Sequence, residues 1–179
     1  TLDEFTLTHN ADLADQLGNL LNRVVKMIER YHAGKVPAPG HLTAIDQQLI
    51  GFATETQAEL QRAMADFALH RALGAIWQLV AATNKYIVQI EPWVLAKQAK
   101  ETGEQSAGER LATTLYVMAE SLRVIAQALA PFLPATAAIM VHQIGSALAQ
   151  PGAWESALSW DKLAAGNTVQ AGEILFVKR

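Results

Sequence analysis

Asn19, Arg23, Lys26 and Arg30 recur at three- and four-residue steps in the segment NADLADQLGNLLNRVVKMIERY, residues 10–31. In a helix, that spacing lines an amide, two guanidiniums and an ammonium along one face. These groups hydrogen-bond nucleobase edges and neutralise phosphates. By itself, such a stripe reads first as a solvated helix face. Trp93 is the second residue with chemistry to offer. It follows Pro92, whose ring suits the first position of a helix, and an indole held there can stack on an unpaired base. Alone, a Pro-Trp pair reads more simply as a plug at the end of a helix bundle.

Other chemistry lacks its residues. Cysteine is absent, which removes disulfides, thiolate nucleophiles and Cys-ligated zinc. There is no GxGxxG or P-loop, no HExxH and no GxSxG. His9, His32, His41, His70 and His142 are scattered singly, and His70, on a helix flank, reads as structural or solvated. Neither a metal site nor a catalytic residue is nominated.

The elements that must hold the stripe are helical. Leu13, Leu17, Leu20, Leu21, Val24, Ile28 and Tyr31 form an apolar face roughly 130° around the helix from the polar one. The helix spans about 10–32, with Asn10 as its N-cap and Asp12 in the first turn. GKVPAPG, residues 34–40, is a loop. A second helix over about 43–66 buries Leu49, Phe52, Ala53, Thr56, Leu60, Ala63, Met64 and Phe67. A third, about 67–90, is capped by Asp66 and buries Leu69, Leu73, Ile76, Val80 and Ile87, with Trp77 in the core. Beyond Pro92 the chain makes one or two turns and then a polar loop. A fourth helix over about 107–130 turns Leu111, Leu115, Met118, Leu122, Ile125 and Leu129 inward. A fifth, about 134–148, carries Ile139, Met140, Ile144 and Leu148. The tail, 151–179, is irregular, with Trp154 and Trp160 as anchors and GEILFVKR as a short extended segment. The fold class is all-α, a bundle of about five helices in one domain over residues 1–179.

Composition sets limits. The chain has 179 residues, 51% of them hydrophobic, and a net charge of −3. One domain with one core accommodates that length. No apolar run approaches the roughly 20 residues that span a membrane, and no signal peptide is visible; a cytoplasmic protein with no membrane partner is expected. The first residue is Thr, so a processed chain or an excised fragment is expected. A negative net charge means that any nucleic-acid contact is local and salt-sensitive.

NADLADQLGNLLNR, a Gly/Pro loop with a KVP core, ALGAIWQLVAATNKYIVQIEPWVLAK and LYVMAESLRVIAQALAPFLPATAAIM occur in that order. Together, from about Asn10 to Ile144, they resemble the anticodon-binding domain of methionyl-tRNA synthetase, a class I aminoacyl-tRNA synthetase. Related class I enzymes carry similar bundles, and the LGNLLNR and N-K-Y-x(4)-PW pair looks most like the methionine enzyme. The resemblance implies recognition of the CAU anticodon of methionine tRNA, with Asn19, Arg23 and Trp93 as anticodon-binding residues. Lys26 and Arg30 are added from geometry as candidate phosphate contacts. It also implies that the catalytic domain of the same synthetase is a partner. No cofactor is expected in this chain, because ATP and methionine would bind that domain, whose HIGH and KMSKS signatures are missing here. The chain alone is therefore expected to be inactive as a ligase. Two positions depart from the family. Glu91 precedes Pro92-Trp93 in place of a small apolar residue, and the end reads Leu175-Phe176-Val177-Lys178-Arg179 in place of LFPR. The alternatives are a stand-alone helical interaction module derived from such a domain, or the equivalent bundle of another class I synthetase.

Overall fold

A computed structural model describes residues 2–172, with side chains from residue 16 onward. Seven helices follow one another: α1 (Leu2–Tyr31), α2 (Ala44–Ala65), α3 (Leu69–Ile90), α4 (Pro92–Thr102), α5 (Gln105–Leu129), α6 (Pro134–Gln143) and the single turn α7 (Trp154–Ala157). Among the described residues the sole β pairing is an isolated antiparallel bridge between Lys35 and Thr168. The all-α expectation holds.

Several boundaries differ from the sequence reading, each for a local reason. Helix α1 begins at Leu2, so Asn10 lies inside it and is not its cap. No Pro or Gly interrupts residues 1–17 of the sequence. Helix α4 makes three turns before Gly103 ends it in a left-handed conformation. Helix α5 starts two residues later, at Gln105, and takes Gly108 into its first turns without a break. Asp66 is the C-terminal cap of α2, and Ala68 precedes α3. The Asp66 carboxylate instead accepts from Arg71, at 3.1 Å. Helix α6 stops at Gln143, because Gly145 turns the chain at φ +71°.

The core surrounds α5. Every residue from Thr113 to Leu129 is buried, although the sequence marked only one stripe of that helix as inward. Leu17, Leu20, Leu21, Val24 and Ile28 of α1 pack against it with Leu49, Leu60, Ile76, Leu79 and Ile87. Trp77, Trp154 and Trp160 are half-buried against the same core. Leu13 and the segment 173–179 lie outside what is described at side-chain level.

Four apolar residues expected inside are exposed: Phe52, Phe67, Leu69 and Ile139. Phe67 takes the left-handed position that ends α2, with φ +54°, which turns its ring outward. Leu69, two residues on, is the first residue of α3 and is exposed there. Phe52 and Ile139 sit at the margins of their stripes.

The chain after α6 is a belt fastened to α5 by polar groups. Glu120 and Arg123, both buried, form a bidentate pair with two contacts of 2.7 Å. Glu120 also accepts from the backbone amides of Lys162 and Leu163, and Arg123 donates to the carbonyls of Ala157 and Ser159. Trp154 donates from Nε1 to the Gln127 carbonyl at 2.6 Å. Further on, the belt reaches the loop after α1, where Val36 donates to Asn167 and Val169 donates to Gly34. Gly145 lies so close to the Thr168 carbonyl that a Cβ there would overlap it.

Candidate nucleic-acid interface

Burial of the apolar face of α1 leaves Asn19, Arg23, Lys26 and Arg30 exposed along the opposite side. What marks this face is the pairing of arginines elsewhere. Six arginines are described. Arg62 and Arg71 are held by Glu59, Arg71 also by Asp66, Arg110 by Asp46 and Arg123 by Glu120. Among the described residues, only Arg23 and Arg30 make no ion pair, and both stand on the exposed face of α1. The Arg30 guanidinium lies 5.6 Å from the centroid of the Tyr31 ring, a cation–π distance that limits its rotamers.

Trp93 is placed by a corner between helices. Glu91 closes α3 by donating its amide to Ile87, then opens α4 by accepting from Val94 at 2.8 Å. Its backbone is left-handed, with φ 50° and ψ 65°. That conformation is uncommon for a residue with a Cβ and more so before proline. Pro92 is buried under the corner, while Trp93 is 42% exposed. The indole is therefore no plug sealing the bundle.

Helices α1 and α4 both end at one groove, lined by Arg30, Tyr31, Ala99, Lys100 and the opening turns of α5 at Gly108 and Leu111. Two turns before it on α1 stands Arg23; two turns before it on α4 stands Trp93. Among the described residues no hydrogen bond joins Asn19 or Arg23 to Trp93. They stand as separate groups on two helices, free to contact a third body.

Sequence reasoning missed the device that anchors α2 and α3 behind this face. The Asp46 carboxylate accepts from Arg110 at 2.7 and 2.9 Å, from the Tyr86 hydroxyl and from the Thr43 amide. Burial pushes the Asp46 carboxyl upward, but the bonds from Arg110, Tyr86 and Thr43 outweigh it and hold it below the usual carboxylate value. Burial first, and Asp46 second, raise the Tyr86 phenol. A signal was present in Thr43-x-x-Asp46, a capping-box spacing.

A family model, the anticodon binding domain of methionyl tRNA ligase, matches residues 36–179. The methionine–tRNA ligase of Bacillus subtilis is 41% identical over 178 residues, covering 98% of this chain and 26% of its own length. That of Caldanaerobacter subterraneus is 42% identical over 167 residues, covering 93% and 25%. A crystal structure of apo methionyl-tRNA synthetase from Mycobacterium tuberculosis superposes with a TM-score of 0.84 at 30% identity, over 99% of this chain and 34% of that one. The chain thus spans about a quarter of the length of the curated relatives it matches. Fold and matches together define the class, an all-α anticodon-binding bundle of the aminoacyl-tRNA synthetases. Within it, the chain belongs to the family of the methionyl-tRNA ligase anticodon-binding domain. The matched segment contains Trp93; Asn19 and Arg23 precede it, in the part that the longer alignments with the ligases also span.

Proposed function

We propose that this domain recognises the CAU anticodon of methionine tRNA as the tRNA-binding part of a methionine–tRNA ligase. The supporting observation is the pair of unneutralised arginines on α1, two turns apart, with an exposed indole on the neighbouring α4. Trp93 stacks on an unpaired base of the loop. Arg23 presents a fork of donors to the O2 and N3 acceptors of cytosine, and Asn19 supplies a donor and an acceptor one turn away. Lys26 and Arg30 neutralise loop phosphates. The catalytic domain of the same synthetase is the partner that binds ATP and methionine, and the bundle orients the tRNA toward it. The setting is cytoplasmic translation; no helix among the described residues is long and apolar enough to cross a membrane.

The test titrates the 179-residue chain with a CAU anticodon stem-loop and with one altered at the first anticodon base. The CAU loop binds tighter, and Trp93→Ala and Arg23→Ala each weaken it by roughly tenfold. Equal binding of the two loops, or no loss in either variant, overturns the assignment.

A further inference from the structure

We propose that the groove where α1 and α4 end seats one ribose-phosphate unit of the RNA strand flanking the anticodon, its phosphate held between Arg30 and Lys100. This rests on the anticodon-binding reading and extends it to a backbone subsite.

The groove encloses about 430 Å³, and Ala99 and Gly108 open it by their small size. Leu111 supplies an apolar surface for the sugar. Cations stand on both walls, Arg30 from α1 and Lys100 from α4. Among the described residues neither is ion-paired, whereas Lys97, one turn earlier, faces Glu101 at 3.9 Å. Tyr31 braces Arg30 from below, so the guanidinium loses less freedom when it meets an anion. The groove lies seven residues beyond Arg23 on α1 and seven beyond Trp93 on α4, roughly 10 Å at the helical rise. A strand whose bases are held at Arg23 and Trp93 therefore carries its backbone past this point. RNA suits the site better than an acidic peptide, because the groove is continuous with the exposed stripe Arg23–Lys26–Arg30.

The experiment uses Arg30→Ala and Lys100→Ala in the same chain, titrated with the CAU stem-loop and the altered loop over a salt series. Each variant weakens both loops by a similar factor of about three to ten and lowers the slope of log K against log salt by about 0.7. The preference for CAU is unchanged, and Lys100→Arg keeps the slope. If both alanine variants keep the wild-type affinity and slope while Arg23→Ala still loses binding, the subsite is overturned and the anticodon reading stands. If the wild-type chain does not distinguish the loops, the anticodon reading fails and takes the subsite with it.

Discussion

Arg110 grips Asp46 through both terminal nitrogens, at 2.7 and 2.9 Å, across 64 residues of sequence. The pair joins α5 to the first turn of α2, and the Tyr86 hydroxyl brings α3 to the same carboxylate. Removing the carboxylate leaves a half-buried guanidinium and a buried phenol without their acceptor. Asp46→Ala is expected to destabilise the fold by about 3 kcal/mol, and Tyr86→Phe by about 1 kcal/mol. Urea unfolding with matched slopes measures both; an Asp46→Ala loss below that of Tyr86→Phe would refute the ranking.

Acid acts on the same group. The folded Asp46 carboxyl lies below its ordinary value of 3.8. Its contribution is therefore complete above that value and is lost as pH falls through the lower, folded one. Unfolding midpoints taken from pH 6 down to pH 2 should drop steeply in the last two units. In Asp46→Asn the drop is shallower.

Alkali has the opposite sign. Burial, then Asp46, raises the Tyr86 phenol above its ordinary 10.0; burial, then a bond to Asp161, raises that of Tyr116. Folded values above the unfolded one mean stability that is intact below pH 10 and declines as pH climbs past it. Tyr116→Phe, measured across that range, should flatten the decline.

Two glycines separate backbone strain from collision. Gly34 and Gly145 share φ +71°, but only Gly145 faces a carbonyl, that of Thr168. Gly34→Ala costs about 1 kcal/mol for the left-handed backbone. Gly145→Ala costs that plus displacement of the belt, and limited proteolysis should cut the variant after residue 145 first. Equal costs at the two sites would show that the belt yields freely.

Glu91 offers a gain. Glycine at its φ of 50° removes left-handed strain, and Glu91→Gly should stabilise the domain by about 1 kcal/mol, or roughly 2–4 °C in thermal midpoint. The substitution also removes a carboxylate two residues from Trp93. Binding of the CAU stem-loop should tighten alongside stability, most at low salt, and an unchanged affinity would show that this carboxylate points away from the RNA.

The two faces of α1 were legible because periodicity alone separates Leu17, Leu20, Val24 and Ile28 from Asn19 and Arg23, and burial follows that division. The corner at Pro92 was legible for the same kind of reason, since proline constrains its own surroundings. What escaped was what depends on distant partners. Glu120 and Arg123 look like a solvated helical pair until residues 157–163 wrap around them. Lys100 looks like one more surface cation until α1 ends beside it. Phe67 looks like core until the turn after α2 fixes its backbone.

The pairing of four arginines with internal carboxylates has a kinetic consequence. A chain of net charge −3 repels a polyanion at long range. Among the described residues the guanidiniums without a carboxylate partner, Arg23 and Arg30, lie on the exposed face of α1, so positive charge is concentrated there. An approaching RNA is turned away from most orientations and torqued into one. The domain selects the angle of encounter before any base is read, and raised ionic strength should slow association more than it hastens departure.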